Sequence, residues 1–385
     1  MSLASFQLAQ KYAELQRRHV DRHTHSIAHG VTPLIQRHGK TLINFSSNDY
    51  LGLADHPALK NAAIDYLKTH SIGAGAAHLV TGHHAIHEQL EQRLAQVTGY
   101  PKAMLFSTGY MANMGVIDAL MGHLSNNKDG IIYQDRLNHA SLLDGARLAG
   151  AKLRRYAHLD TAQLQQWLSI DQAAQKLIVT DQIFSMDGTQ APLNDLIKIA
   201  EQHQAALMID DAHGFGVRGA ALPAVDIYMA TLGKAIGTYG AFVAGSELLI
   251  DYLKSRARTF IFTTATPPLI AAATLAALDI VEQESWRQVK LKQHIHRLRT
   301  ALIEQGWNLL PSQSAIQPII IGSAEDALQL SQKLLVQGLL VSAIRPPTVP
   351  RGTSRLRITL SAAHSDEHIE QLISGLAIHQ ADFRQ

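Results

Sequence analysis

One charged side chain, Lys234, stands in the otherwise uncharged stretch ATLGKAIGTYGA (230–241). A charge is seldom buried unless it is paired or does chemistry, so this lysine needs partners. Candidates follow directly on short apolar runs. LMIDD leads into AHG and offers Asp210 and His213, LIVTD leads into QIFSMDG and offers Ser185, and IIYQD leads into RLNHAS and offers His139. AMLFS leads into TGYMAN, a glycine-containing turn that opens a helix, and helix N-termini of this kind bind phosphate. A lysine amine is a nucleophile toward an aldehyde. Gathered in one place, these groups would suit a flat, phosphorylated ring that carries one.

The elements that must gather them are legible in outline. Between about residue 99 and residue 245 the runs AMLFS, IIYQD, LIVTD, LMIDD, DIYMAT and AFVAG alternate with amphipathic segments. Strands alternating with helices imply parallel βαβ units buried on both faces. In an open parallel sheet, ligands lie outside the carboxyl ends of the strands. By that rule five strand ends aim a lysine, a carboxylate, two imidazoles, a hydroxyl and a phosphate-type turn at one region. Upstream, Ala4, Leu8, Tyr12 and Leu15 repeat at a helical period, and LINFSSNDYLGL reads as a short strand and turn. HHAIHEQLEQRLAQVTG predicts a helix with Ile86, Leu90, Leu94 and Val97 on one face, ended by Gly99. Residues 267–305 read as helical after Pro267-Pro268, and PIIIG, LLVSAI and RLRITL supply strands to a smaller α+β portion. The expected divisions are an N-terminal helix and arm (1–45), a large α/β domain with a mostly parallel sheet (46–265) and a C-terminal α+β domain (266–385).

Pyridoxal 5'-phosphate matches this set of groups. Its aldehyde forms a Schiff base with a lysine amine, and an acidic partner holds its pyridinium nitrogen so that the ring takes up electrons. His139 can stack on such a ring, and the main-chain amides of Gly109 and Tyr110 can take its phosphate. The ordered series NFSSNDYLGL (44–53), STGYMAN, DRLNHASL, FSMDG, DDAHGFG, TLGKAIG, SAIQPIIIG and IRPPTVPRGTSRLRITLSAAH (344–364) resembles the α-oxoamine synthase family of fold-type I pyridoxal-phosphate transferases. The resemblance runs over nearly the whole chain. It implies Lys234 as the Schiff-base lysine, Asp210 on the pyridine nitrogen and His213 as a donor to the ring oxygen. His139 would lie over the ring, with Ser185, Thr231, Gly109 and Tyr110 around the phosphate and ring oxygen. Thr263 or Thr264 would reach the phosphate in a neighbouring subunit of a homodimer. Arg357 would anchor the amino-acid carboxylate, with Asn48, Thr348 and Arg22 as further substrate contacts. Within the family the resemblance points to condensation of L-alanine with a pimeloyl thioester, on coenzyme A or a carrier protein, for biotin synthesis. The sibling reaction joins glycine to another acyl-CoA.

The chain departs from the family pattern in places. The segment between His213 and Lys234 is short, and the glycine-rich stretch near 73–78 reads GAGAAH. Plainer readings also stand beside the functional ones. An isolated lysine at a strand end commonly snorkels, and Asp211 next to Asp210 would cap a helix or turn. Arg355 and Arg357, two apart on a strand, would by default share a solvated edge.

Composition narrows the field further. The 385 residues are 46% hydrophobic and 17% charged with a formal net charge of +2, too near neutrality to point to nucleic acid or an anionic membrane. No cysteine is present, which excludes disulfides, thiolate metal sites and thiol catalysis. The N-terminus lacks the apolar core of a signal peptide and no run suffices to span a bilayer, so a cytoplasmic, membrane-independent protein is expected. A nicotinamide dehydrogenase would need GxGxxG at the first βα turn, which AMLFSTGYMAN does not offer. The 21 histidines include His83, His84 and His87. HHAIHE lacks the glutamate of an HExxH site, and the reading expects no metal.

Overall fold

The computed structural model describes residues 6–17, 21–122, 130–218 and 222–383. After the Leu8–Arg17 helix comes an antiparallel hairpin, β1 (Leu34–Arg37) and β2 (Lys40–Asn44). The helical period was expected from Ala4 to residue 20; Ala4 and residues 18–20 lie outside the described residues. Leu8, Tyr12 and Leu15 are all exposed in the single chain.

The dominant layer is a seven-stranded sheet made of β3 (Lys102–Phe106), β4 (Ile131–Asp135), β5 (Lys152–Tyr156), β6 (Lys176–Asp181), β7 (Ala206–Asp210), β8 (Ile227–Thr231) and β9 (Ala241–Gly245). Their spatial order is β3-β9-β8-β7-β6-β4-β5. All neighbours are parallel except β9, which runs antiparallel to β3 and to β8. Consequently β3 points the same way as β8, and all five functional turns emerge at one edge. The inner strands are buried apart from one end residue in each of β6, β7 and β8, as sheets covered on both faces require. Six of the seven strands coincide with the apolar runs. The seventh, β5, reads KLRRY and lies at the sheet's edge, half exposed; an edge strand needs little apolar patterning, so its sequence carried no strand signal.

A second sheet contains β10 (Ile316–Gly322), β12 (Ser342–Ile344) and β13 (Ser354–Thr359) in the order β10-β13-β12, antiparallel throughout. LLVSAI divides between β12 and β11 (Leu339–Leu340), and β11 pairs in parallel with β2. The stretch 267–305 is two helices, Pro268–Gln283 and Trp286–Glu304, not one. The chain turns at Glu284, whose carboxylate is held by Arg287 as that guanidinium donates to the Leu51 carbonyl at 2.9 Å. The Ala85–Thr98 helix ends, as its sequence predicts, on left-handed Gly99. One buried apolar cluster runs from Ile43 to Phe383 through both sheets. Among the described residues no helix is long and apolar enough to cross a membrane.

His364 joins the early turn to the C-terminal sheet. Its ring stacks on Phe45 with centroids 4.4 Å apart, Nε2 donates to the Asn44 carbonyl at 3.2 Å and Nδ1 accepts from Ser361 N at 3.0 Å. Beside it, Ser361 Oγ donates to the Asp49 carbonyl and Ala362 N to the Tyr50 carbonyl. These bonds fix the NFSSNDY segment. Burial pushes the His364 imidazole down to about 3. The folded chain therefore keeps it neutral where the unfolded chain takes up a proton, so its contribution is full above about pH 6.5 and is lost as pH falls toward 3. His364→Gln should cost about 1–3 kcal/mol near pH 7.5. It should also flatten the loss of stability between pH 6.5 and 4 by up to about 1.4 kcal/mol per pH unit. Urea unfolding across that range checks both, and parallel curves for wild type and variant would refute the second.

Candidate active site

Asp210 closes β7, where the sheet ends and backbone partners run out. Its buried carboxylate accepts from Ala212 N at 2.9 Å and from Asn113 Nδ2 at 2.7 Å. Asn113 lies one turn into the Gly109–Met121 helix and gives its other amide hydrogen to Ser141 Oγ at 2.8 Å. Ser141 Oγ lies 2.7 Å from His139 Nδ1. Accepting from Asn113, the hydroxyl donates to that nitrogen, which leaves the His139 proton at Nε2. The amide orientation leaves Asn113 Oδ1 buried without a partner, the consequence of offering both hydrogens to the network. The His139 main-chain N–H donates to Asp181 Oδ2 at 2.6 Å. Burial, then the like charge of Asp210, raises the Asp181 carboxyl well above its ordinary value.

His213 follows on the same loop as Asp210 and is buried. Its Nδ1 sits 2.6 Å from the hydroxyl of Tyr50, which is fully buried and lies 3.1 Å from Asn48 Oδ1. Burial first, then the charge of Lys234, pushes the His213 imidazole well below its usual value. The single proton of the Tyr50 hydroxyl serves either Asn48 Oδ1 or His213 Nδ1, and the tautomer of the neutral His213 ring follows that choice. Arg357 joins this cluster from β13: Nε donates to the Ser185 carbonyl at 2.6 Å and Nη2 to Asn48 Oδ1 at 3.2 Å. Arg355 binds Asp187 at 2.7 Å. Both arginines are buried, at 5% and 7% exposure. The default reading of a solvated edge fails because β13 is the central strand of its sheet.

The turn carrying Ser185 depends on Gly188, at φ +68°. A Cβ there would stand 2.2 Å from Ser312 Oγ and 2.4 Å from the Ile316 carbonyl, so only glycine lets this turn dock on the C-terminal portion. Gly109 plays a comparable part at the opposite strand end. A Cβ on it would lie 2.7 Å from the Thr231 methyl. Thr108 caps the helix by accepting from Met111 N at 3.1 Å, which leaves the amides of Gly109 and Tyr110 directed out of its N-terminus.

Lys234 enters this group beyond β8. No hydrogen bond or ion pair joins its amine to another described residue. Burial lowers its pKa, opposed by the carboxylates of Asp210 and Asp181. Asp211, by contrast, turns away: it is buried against Arg218 and Tyr228, accepting from the tyrosine hydroxyl at 2.7 Å. The capping reading of its side chain is replaced by this ion pair. Arg22 donates to Thr348 Oγ1 at 3.3 Å, an exposed pair joined to the central cluster by no direct bond. Thr263 and Thr264 lie elsewhere, beside residue 76, where Ala265 N donates to the Ala76 carbonyl at 3.0 Å. The shortened segment after His213 includes residues 219–221, outside the described residues.

The residues present fit pyridoxal phosphate. An amine without a partner, a hydrogen-bonded carboxylate, a ring fixed by Ser141 and two outward amides with a glycine beside them are the donors and acceptors it requires. The family described as aminotransferase class I and II matches residues 40–376. The 8-amino-7-oxononanoate synthase of Nitrosococcus oceani is 49% identical over 89% of this chain and 92% of its own length. The chain belongs to the 8-amino-7-oxononanoate synthase family. Among solved structures, that synthase from Francisella tularensis is 30% identical, with a TM-score of 0.76 over 89% of this chain and 98% of its own. A serine palmitoyltransferase with bound pyridoxal phosphate gives a TM-score of 0.91 at 26% identity, covering 100% of this chain and 99% of its own. The fold is that of the fold-type I pyridoxal-phosphate transferases.

In this member of the family, sequence reasoning missed Asn113, Ser141, Tyr50 and Asp181. All four stand inside quoted stretches (TGYMAN, RLNHAS, NFSSNDYLGL and LIVTD); Asn113, Ser141 and Tyr50 are uncharged, and the place of Asp181 beside Asp210 follows from strand register. The two adjacent aspartates should separate by experiment. Asp210→Asn is expected to fold normally and lower turnover by at least about 100-fold, the scale of a lost electrostatic or proton-holding group. Asp211→Asn should retain most turnover while losing about 1–3 kcal/mol of stability. Steady-state rates alongside chemical denaturation test this, and the reverse ranking would assign the wrong aspartate.

Proposed function

We propose that this chain uses pyridoxal phosphate to condense L-alanine with a pimeloyl thioester, releasing carbon dioxide and the thiol and giving 8-amino-7-oxononanoate for biotin synthesis. The observation that carries the reading is the amine of Lys234, bonded to no described residue and set beyond β8 at the sheet edge where β7 ends in Asp210, in a chain half identical to synthases of that name. Pyridoxal phosphate, when bound, supplies an aldehyde and a ring that accepts an electron pair from the carbon beside an amine.

The chain's own residues supply the rest. Arg357, braced by Ser185 and Asn48, offers a planar fork to the alanine carboxylate. Lys234 has its proton affinity reduced by burial, which favours the free amine that takes the α-proton of alanine. Asp210, fixed by Asn113 and Ala212, would hold a proton at the pyridine nitrogen, and its own two hydrogen bonds keep it from swinging away. His139 would cover one ring face and His213 would serve the ring oxygen. Gly109, Tyr110, Ser185 and Thr231 would hold the phosphate and ring oxygen. A cavity of about 970 Å³ lies between Leu15, Leu328, the Pro346-Pro347 turn and Val349, with Arg345 and Arg351 in its walls. Apolar walls with two guanidinium groups suit a seven-carbon chain ending in a carboxylate, whether on coenzyme A or a carrier protein. Arg22 and Thr348 meet at the same turn.

The working unit we propose is a cytoplasmic homodimer. Ile72, Leu79, Val80 and Phe262 are 54–74% exposed on adjoining segments, an apolar surface of the kind that marks an interface. It flanks Thr263 and Thr264, which would then reach the partner's phosphate. An inactive Lys234→Ala chain mixed with a Thr263→Ala/Thr264→Ala chain should regain activity through one complete site per mixed dimer; a fully active monomer would refute the sharing.

Substrate choice gives the test of the whole reading. One methyl separates alanine from glycine, worth only about 1–3 kcal/mol in a pocket, so glycine should react measurably but less well. A far carboxylate desolvated on binding gains a charge-assisted pair that acetyl and palmitoyl chains cannot make, so pimeloyl thioesters should be preferred over acetyl or palmitoyl ones more sharply than alanine over glycine. Carbon dioxide release, read as kcat/KM over both series, checks this. Glycine with acetyl- or succinyl-CoA as the best pair would assign the sibling reaction.

A further inference from the structure

Three histidines meet away from the site just described. His78 opens the turn His78–Gly82, His83 follows it directly, and His87 lies in the first turn of the Ala85–Thr98 helix. One ring nitrogen of each lies within 4.8 Å of the other two. The sequence drew attention to His83, His84 and His87; the turn brings in His78 in place of His84. We propose that His78, His83 and His87 form a binding site for a divalent transition ion of the zinc type.

The geometry supports this at three levels. His78 Nδ1 and His83 Nδ1 stand 2.8 Å apart. Between neutral rings that contact holds a single proton, and an ion replacing it would meet a lone pair from each. His87 donates Nε2–H to the Thr266 carbonyl at 2.9 Å, the outer bond that typically orients a metal-bound imidazole. This fixes the lone pair at Nδ1, where its competitor is the His84 amide at 3.1 Å. Phe260 stacks on His78 at 5.1 Å with planes 9° apart, holding that ring.

Lys254, which lines the cavity beside His83, is held by Glu91 at 3.0 Å. A cavity of about 390 Å³ lined by His83, Glu88, Glu91 and Lys254 provides the approach. Bonds of about 2.0–2.1 Å in a tetrahedral site set the nitrogens about 3.3–3.4 Å apart, so binding widens the 2.8 Å contact between His78 and His83 and adjusts His87 by side-chain rotation. Three imidazoles and no thiolate favour Zn²⁺, with Co²⁺ or Ni²⁺ as substitutes, and leave a fourth position for water. Because His87 grips Thr266, the ion would tie the 76–87 and 260–266 segments together.

Chelator-treated holoenzyme, saturated with pyridoxal phosphate, should be titrated with Zn²⁺ by calorimetry and equilibrium dialysis. One ion per chain at micromolar affinity or tighter, with a raised Tm, is expected. His83→Ala should weaken this binding at least about tenfold, whereas His296→Ala, altering an exposed histidine, should not. Equal binding by wild type and His83→Ala, or an equal loss in His296→Ala, would show surface imidazoles alone and overturn the proposal. Should His83→Ala misfold by circular dichroism, Co²⁺ with wild-type holoenzyme decides the matter. Intense tetrahedral visible bands support the site, and weak octahedral bands refute it.

Discussion

An amine brought close to two carboxylates, yet bonded to neither, is the constraint on which the rest of this structure turns. A buried charge normally acquires a partner or gives up its proton. Lys234 does not acquire one: burial lowers its proton affinity while Asp210 and Asp181 oppose the shift. Each carboxylate is already engaged elsewhere, Asp210 by Asn113 and Ala212, Asp181 by the His139 amide. The protein thus spends its hydrogen bonds on fixing the acids and leaves the base reactive.

Fixing the acids requires a polar network that reaches through three elements. The relay Asp210–Asn113–Ser141–His139 ties the end of β7 to the Gly109–Met121 helix and to the loop after β4. In a low-dielectric interior such a network is stiff when satisfied, since each broken bond would leave a desolvated group. Its one unsatisfied atom, Asn113 Oδ1, shows the priority: both amide hydrogens are committed to the carboxylate and the hydroxyl. A second network, Tyr50–His213 with Asn48 and Arg357, links that layer to the C-terminal sheet. It makes the tautomer of His213 and the aim of Arg357 depend on one another.

The closure between sheets rests on main-chain contacts that side-chain patterning does not reveal. Phe45, Asp49 and Tyr50 offer carbonyls to Thr359, Ser361 and Ala362, and β2 takes β11 as a partner. The segment holding Asn48 is consequently part of both halves of the structure. Gly188 does the same from the other side by letting the Ser185 turn come against Ser312 and Ile316.

Taken alone, the sequence determined much of this. Runs of β-branched and apolar residues specify buried strands, and the rule that parallel strands present ligands at their carboxyl ends places Lys234, Asp210, His213, His139, Ser185 and the Gly109 turn at one edge. Local signals of that kind survive folding because they arise from burial period and turn chemistry. What only the tertiary structure decided depends on who neighbours whom. The edge strand KLRRY lacked an apolar period, and the break at Glu284 follows from Arg287 reaching Leu51. Arg355 and Arg357 are buried because β13 is central. Asn113, Ser141 and Tyr50 are neutral polar residues whose importance lies wholly in their partners, and His78 joins His83 and His87 only because a turn folds it back. A residue's type states which bonds it can make; its neighbours across the fold decide which of them it does make.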